Sequence, residues 1–418
     1  MANTTTLPHG AAELAAATPA DRDRYADLLR LFAIGMVAVG HWVVALLTLH
    51  GAGTVGTSMP GMLSTWVWQV MALFFFVGGF GHARALRHRP PTGTFVLGRT
   101  ARLLPPAVAM LAVWAALAAL MHLAGLDTGV FAEGLHRITV PLWFLGVYLV
   151  IVLAAPAMMR LHHRFGLWPV LGALTAATAV VDLVASVLPP AGYANLLFVW
   201  LAVHQLGYGY ADGTLARGGR RLAALLAVGG LAGAVLLVFG TSAYPVPMVG
   251  LPGNEVSNSA PPTLALLAQS VFLVGVALLL RQAGTALADR PRVWLGVATG
   301  NSMIMTIFCW HLTACYLVQG ALLLAGVRLP AADTPVWLLV LPCWLAACAL
   351  VCAALVLACR RFERPRRPGA AGTAVAVAGV LASALGLFAV SEVGLDTAAM
   401  PALALASVAA GALALRGR

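Results

Sequence analysis

Long apolar runs, which follow one another along almost the whole chain, are the feature that most limits its fold. Twelve runs begin after residue 25, each close to the ~20 residues that a spanning helix needs. A soluble domain is about 45–50% apolar and about 25% charged, whereas this chain of 418 residues is 61% hydrophobic and 9% charged. Such a composition excludes a cytosolic globular enzyme, a secreted disulfide scaffold and a disordered chain. It predicts an all-α polytopic membrane protein.

The apolar runs give the approximate limits of the spans. We place them at residues 26–48, 63–83, 103–124, 140–159, 167–188, 195–212, 222–240, 263–281, 301–325, 336–359, 370–390 and 399–415. The last run has the weakest span signal because it is short and consists mostly of alanine.

The distribution of arginine tests this map. The chain has no lysine, and its 25 basic residues are all arginine. If the twelve spans alternate in direction, 23 arginines share one side, and only Arg137 and Arg328 lie on the other. By the positive-inside rule the arginine-rich side is cytoplasmic and carries both termini. We therefore expect a multi-pass protein of the inner (plasma) membrane.

The same excess of positive charge, formally +11, would suggest nucleic acid as a partner of a soluble protein. Here no segment outside the apolar runs is long enough to form a nucleic-acid-binding domain. The expected partner is the lipid bilayer, and no nucleic acid is expected.

The segments outside the spans differ in character. Residues 1–24 are polar and alanine-rich without an apolar core, which predicts a disordered cytoplasmic tail. Residues 241–262 hold five prolines and one charge, Glu255, which predicts a rigid cap over an outer vestibule.

The six cysteines form no CxxC pair, so we interpret them as packing residues and expect no metal site.

Polar residues at membrane depth are costly to bury, so each one is a functional hypothesis. His41 lies eleven residues after Arg30, a helix rise of ~16 Å and close to three turns, so both residues share one helix face. One face thus carries a cation at the inner mouth and an imidazole beyond the midplane. The alternative is a histidine that hydrogen-bonds to a neighbouring helix.

Other polar positions have a functional and a structural interpretation. Arg99 and Arg102, at i and i+3, can hold one phosphate group or can anchor the helix on the cytoplasmic side. Asp182, in the outer third of its span, can orient a histidine or can lie at the outer interface. His82 and His162 fall at the cytoplasmic ends of spans and are predicted to be solvated.

Several of these residues belong to motifs whose order along the chain resembles that of the membrane-bound acyltransferase 3 family. Asp27, Arg30 and His41 match its Asp-x-x-Arg and Arg-x10-His signature. The family continues with a Phe-rich helix ending in Ser-Gly-Phe, an Arg-x-x-Arg motif leading to Leu-x-Pro, a Trp-Phe-Leu and a late histidine. The corresponding residues here are 75–80, 99–106, 143–145 and His311. Gly78 replaces the usual serine, so any role of that hydroxyl is absent.

The resemblance covers roughly residues 20–365 and implies a domain organisation. The expected parts are the tail 1–24, an acyltransferase-like membrane domain of about ten spans at 25–365, and a C-terminal extension of two further transmembrane helices at 366–418. We expect no C-terminal hydrolase-like domain of the kind that some relatives carry.

The resemblance also implies an activity. An acyl group, often acetyl, would pass from cytoplasmic acyl-CoA to a hydroxyl of an envelope or exported glycan or of a small molecule. Acyl-CoA would be a donor substrate, and no permanently bound cofactor is expected. His41 would act as a general base or carry the acyl group itself. The predicted sites are His41 and Asp182 for catalysis, Arg30, Arg99 and Arg102 for the donor, and Trp143 and His311 for the substrate.

A transporter or flippase without acyl-transfer chemistry is the alternative function. It too would place polar residues within a helix bundle. The chain shows neither internal repeats nor the inverted-repeat pattern common in transporters, which counts against this alternative.

Overall fold

The protein is an all-helical bundle in the parts of the chain that are described. The computed structural model describes residues 10–49, 53–125, 129–327, 329–330, 336–363, 372–395 and 399–416. Within them there is no strand, and β-structure is limited to two isolated bridges in the segment 241–262. The α-helices are α1 Ala11–Ala17, α2 Arg24–Leu49, α3 Gly53–Thr57, α4 Met59–Trp68, α5 Met71–Leu86, α6 Thr92–Leu123, α7 Gly129–Thr139, α8 Leu142–Phe165, α9 Leu167–Ala185, α10 Asn195–Ala211, α11 Thr214–Arg217, α12 Gly219–Val235, α13 Leu264–Ala288, α14 Pro291–Ser302, α15 Ile304–Leu324, α16 Trp337–Cys359, α17 Thr373–Val393 and α18 Ala399–Arg416.

The described helices confirm the prediction of a polytopic membrane protein. Ten helical segments are long and apolar enough to span a bilayer, and the shorter apolar helix Ala402–Leu415 follows them near the end of the chain. Eleven of the twelve predicted spans each fall mainly on one helix, and the second, 63–83, falls on α4 and α5. The helix at the sixth predicted span, α10, has only 17 residues. Nearly all of its side chains are buried by other helices, so lipid thickness does not dictate its length.

Contacts between loops group the arginine-bearing segments at one end of the bundle, which we call the arginine-rich end. Arg84, in the last turn of α5, pairs with Asp21 before α2. Arg24 lies 3.6 Å from the Asp289 carboxylate at the end of α13. These ion pairs join segments that the arginine count had placed on one side of the membrane.

The segment 241–262 covers the opposite end of the bundle and is held there by α4. The Trp66 indole N–H donates to the Val246 carbonyl at 2.9 Å, and the Met248 N–H donates to Thr65 Oγ1 at 2.8 Å. Asn258 donates from its side chain to the Pro247 carbonyl at 3.1 Å. These bonds satisfy backbone groups that no regular element would satisfy, and they agree with the predicted cap.

The N-terminal segment differs from the expected disordered tail, because residues 11–17 form α1. Trp294 on α14 donates its indole N–H to Thr18 Oγ1 at 2.7 Å, and α1 packs on α14. The alanine-rich stretch has high helix propensity, and this docking supplies the partner that a short isolated helix lacks. Residues 1–9 lie outside the described residues.

The prediction that His82 and His162 are solvated is wrong, since their residues are only 1% and 5% exposed. α5 and α8 continue beyond the predicted span ends, and α10 packs across both. His82 meets His204 at 2.9 Å, and His162 lies between Gln205 at 2.8 Å and the Asp212 carboxylate at 3.0 Å. α10 therefore supplies polar partners for both histidines.

The adjacent glycines of α5 allow a very close approach to α10. A Cβ atom added at Gly79 would lie 2.0 Å from the His204 carbonyl oxygen, and one at Gly207 would lie 2.1 Å from the Phe76 carbonyl oxygen. Neither contact can accommodate a side chain without moving a helix backbone. Small residues at such crossings are a usual way for membrane helices to associate.

We expect Gly79→Ala to destabilise the folded bundle by about 1–3 kcal/mol, the usual cost of overpacking. Thermal unfolding of the purified protein in lipid nanodiscs measures this. Gly35→Ala on α2 is the matched control, because its Cβ would meet nothing within 4 Å. Equal unfolding temperatures for the two variants would contradict the close α5–α10 contact.

The two C-terminal helices are an integral part of the bundle. α17 packs on α18, α8 and α6. At the contact with α8, a Cβ added at Gly146 would lie 2.9 Å from the Ala384 carbonyl oxygen. At the contact with α7, Thr139 Oγ1 donates to the Val390 carbonyl at 3.3 Å. Removal of these helices would therefore expose a packed face of α8.

Candidate functional site

His41 on α2 and His311 on α15 form a directly hydrogen-bonded pair within the bundle. Nδ1 of His41 lies 2.8 Å from Nε2 of His311. The ring planes differ by only 17°, so the bond runs close to the plane of both imidazoles. His311 is buried, whereas His41 is only partly buried.

The neighbours of this pair determine which nitrogens carry protons. Nδ1 of His311 lies 2.6 Å from the Phe308 carbonyl oxygen, which can only accept a hydrogen bond. A neutral His311 therefore has its proton on Nδ1, and its Nε2 accepts. His41 must then donate from Nδ1, which leaves the lone pair of its Nε2 free. Two hydrogen bonds thus set His41 in the tautomer that can take a proton at Nε2.

Two tryptophans hold the helices that carry the pair. The Trp42 indole N–H donates to the His311 backbone carbonyl at 2.8 Å. The Trp344 indole N–H on α16 donates to the Trp42 carbonyl at 2.9 Å. Both bonds are buried and link α2, α15 and α16, so the position of one imidazole relative to the other is well constrained.

His41 lines a cavity of about 290 Å³ near the opposite end of the bundle. α2, α4, the start of α8 and the covering segment 241–262 form its walls. Trp143, a predicted substrate-binding residue, is one of its lining residues, together with Trp68 and Phe144. His311, the other predicted substrate residue, lies behind His41 as its hydrogen-bond partner and does not line this cavity.

Arg30 and Arg99 approach each other at Gly81, nearer the arginine-rich end. Arg99 donates from a guanidinium nitrogen to the Gly81 carbonyl at 2.9 Å, and a Cβ added at Gly81 would lie 3.6 Å from a guanidinium nitrogen of Arg30. Arg30 is 3.8 Å from the Asp27 carboxylate. Arg102 is exposed on the next turn of α6. The two half-buried guanidiniums from different helices make a more enclosed anion site than the predicted pair Arg99 and Arg102.

A cluster of three polar side chains, Tyr148, His82 and His204, lies near these arginines. The sequence analysis gave this cluster no functional role. Tyr148 Oη is 3.4 Å from His82 Nε2, and His82 Nδ1 is 2.9 Å from His204 Nε2. Nδ1 of His204 is fully buried, and no partner for it is described. The mid-span position of Tyr148 and His204 was the only available signal, since neither residue belongs to a motif that the sequence analysis used.

An aromatic layer separates the two polar regions. Phe144 lines the cavity beside His41 and packs on Tyr148, with ring centroids 6.0 Å apart. It also packs edge-on against Phe74 at 5.0 Å and Phe308 at 5.3 Å. Phe144 therefore connects the cavity that His41 lines with the polar side chains around Tyr148.

Asp182, a predicted catalytic residue, is hydrogen-bonded elsewhere. Its carboxylate accepts from the Asn195 side chain at 2.7 Å, the Tyr244 hydroxyl at 2.9 Å and the Leu264 N–H at 2.8 Å. None of these partners is a histidine, and the carboxylate ties α9 to the start of α13. His311, and not Asp182, occupies the position that orients His41.

The model of the acyltransferase 3 family, described as an acyltransferase domain, matches residues 23–359. The chain belongs to this acyltransferase family. Comparison with the curated proteins and with the solved structures gives no significant match. Membership makes the protein a membrane acyltransferase and does not favour the transporter alternative.

The surroundings of Gly78 relate one departure from the family pattern to a neighbouring side chain in this acyltransferase. Gly78 stands where the family usually has serine. A Cβ atom at Gly78 would lie 2.9 Å from the Tyr148 hydroxyl oxygen. The Tyr148 hydroxyl therefore occupies the space in which the serine side chain would begin.

The described residues contain no group of three or more His, Cys, Asp or Glu side chains that could hold a metal ion. The described cysteines are all free and mostly buried in helices.

Proposed function

We propose that the protein transfers an acyl group, most simply acetyl, from cytoplasmic acyl-CoA to a hydroxyl of an exported glycan or a small molecule. The observation that carries this proposal is the free Nε2 lone pair of His41, which is set by two hydrogen bonds and adjoins a cavity. Family membership supports acyl transfer, and the arginine pair supports an anionic donor.

The donor would dock at the arginine-rich end. Arg30 and Arg99 can together hold a phosphate of coenzyme A, because guanidinium groups bind phosphate through paired hydrogen bonds. Arg102 is exposed and can contact a more distant phosphate. The thin arm of the donor would then extend past Tyr148 and Phe144 towards His41, which lies a helix rise of ~16 Å beyond Arg30.

His41 would act as the general base. The acceptor hydroxyl gives its proton to Nε2 while its oxygen attacks the thioester carbonyl carbon. The tetrahedral intermediate then loses the coenzyme A thiolate as the C–S bond breaks, and the proton on Nε2 passes to that sulfur. The products are the acyl ester and free coenzyme A. An acyl-protein trapped on His41 by acid quenching would instead indicate that Nε2 carries the acyl group.

The orientation in the membrane is part of the proposal. Both termini would face the cytoplasm, since 23 of 25 arginines fall on one side of the predicted topology. The contacts of Arg84 and Arg24 support the grouping of these segments at one end. The donor site would thus face the compartment that contains acyl-CoA, and the cavity beside His41 would face outward.

We expect Arg30→Ala and Arg99→Ala each to weaken acyl-CoA binding by about 10–100-fold, as the loss of a hydrogen bond to a charged group does. Arg99→Lys should restore binding only in part, since an ammonium lacks the planar fork. Binding of radiolabelled acetyl-CoA to protein in nanodiscs measures the effect. Arg164→Ala, at an exposed position of the same end, is the control. Donor affinity unchanged in the Arg30/Arg99 double variant would restrict these arginines to membrane anchoring.

A further inference from the structure

The lining of the cavity beside His41 constrains the acceptor. Among the described residues that form its walls there is no arginine, aspartate or glutamate, and His41 is the only titratable group. Aliphatic side chains, Trp68, Trp143 and Phe144 make up most of the surface. An apolar body gains from burial here, whereas a carboxylate or phosphate would be desolvated without a counter-charge.

The four polar side chains that line the cavity besides His41 each have a partner within the protein. The Gln69 side-chain oxygen accepts from the Met71 N–H at 3.2 Å, and Ser259 Oγ lies 3.2 Å from Ser257 Oγ. Ser64 Oγ donates to the Gly61 carbonyl at 2.6 Å, and Thr65 Oγ1 both donates to Met62 and accepts from Met248. Few groups remain for the many hydroxyls of a sugar chain. Buried hydroxyls without a partner oppose binding.

The volume of the cavity also restricts the size of the acceptor. At about 290 Å³ it lies at the lower limit of small-molecule sites. It also has to admit the acyl carbonyl next to His41. The occupant is therefore a small molecule or one end of a larger one, and it presents a single hydroxyl to Nε2.

We propose that the acceptor is a neutral molecule with a largely apolar body, whose reacting hydroxyl faces His41 while the body fills the cavity between α2, α4 and α8. Anionic and fully polar glycans are excluded as the portion bound there. This inference rests on the proposed function for the chemistry at Nε2, and it narrows the acceptor class.

A labelling experiment tests the selectivity of the cavity without any need for acyl transfer. Ser64→Cys puts a thiol in the lining, and mass spectrometry follows its modification by N-ethylmaleimide at residue 64 in nanodiscs. The competing probes are hexyl β-glucoside, its anionic counterpart hexyl β-glucuronide, and glucose. We expect the half-protecting concentration of the glucoside to be at least about tenfold lower than that of either other probe, a tenfold difference in affinity.

A second variant links this protection to the cavity itself. A Cβ added at Gly40 would lie 3.7 Å from the Trp68 ring, so Gly40→Val fits the fold and fills space next to His41. It should abolish protection by the glucoside but leave acetyl-CoA binding unchanged. Gly35→Val, whose Cβ would meet nothing within 4 Å, should keep protection.

The outcomes separate the two proposals. Equal protection by glucose or by the glucuronide would overturn the inference, as would an absence of protection by all three probes. Release of coenzyme A thiol from acetyl-CoA is scored in a parallel reaction with each probe. If protection is selective but no probe is acylated, the cavity assignment stands and the proposed chemistry fails. If the glucuronide is acylated as well as the glucoside, the chemistry stands and the inference fails.

Discussion

We expect His41→Gln to lower acyl transfer by at least about 10²-fold, the lower limit of what general-base catalysis contributes. Glutamine keeps a polar group of similar reach on α2 but cannot take up a proton. His41→Ala should lose at least as much activity. Release of coenzyme A thiol from acetyl-CoA, in the presence of an acceptor and purified protein in nanodiscs, measures the loss.

Donor binding provides the control for this result. Acetyl-CoA affinity should be nearly unchanged in His41→Gln, because Arg30, which with Arg99 forms the proposed donor site, lies some 16 Å away by helix rise. A parallel loss of binding would indicate a disturbed bundle. Turnover above about a tenth of wild type, with binding intact, would contradict a role for His41 as base, since that role is worth at least about 10²-fold. His136 on α7, which is not among the residues that line the cavity, provides a histidine control as His136→Gln.

The helices could be predicted from the sequence because a bilayer requires each spanning segment to be apolar and to bond its own backbone. Hydropathy therefore placed every predicted span on helical segments, although α6 begins at Thr92 and not near residue 103. It could not show that α5 and α8 extend past the apolar runs, so His82 and His162 were assigned to solvent. Nor could it show that α1 docks on Trp294, because that contact joins residues far apart in the chain.

The candidate site was only partly predictable for a related reason. His41, Arg30, Arg99 and Trp143 were identified by spacing and by family motifs. Their partners depend on how each helix is rotated against its neighbours. The pairing of His41 with His311 links positions 270 residues apart. Asp182 is the only acid well inside an apolar run, and it was predicted either to orient a histidine or to lie at the outer interface, but its hydrogen bonds hold the start of α13.

His311 should act as a positioning residue, and we expect His311→Leu to lower turnover by about 10²-fold or more, as loss of tautomer control does in catalytic triads. Leucine cannot accept the Nδ1 proton of His41. The imidazole could then rotate or adopt the other tautomer, with the proton on Nε2. The loss should appear in kcat, while KM for acetyl-CoA changes little, because His311 contacts neither the arginines nor the described cavity.

His311→Gln distinguishes orientation from simple packing. Its side-chain oxygen can still accept from His41 Nδ1, although the fixed link to the Phe308 carbonyl is lost. We therefore expect it to retain clearly more turnover than His311→Leu. Trp42 bonds to the backbone of residue 311 in every variant, so the contact between α2 and α15 is preserved. If both variants lose equal activity with equal thermal stability, His311 acts by some route other than acceptance of that proton. If both unfold at lower temperature in proportion to their loss, its role is structural.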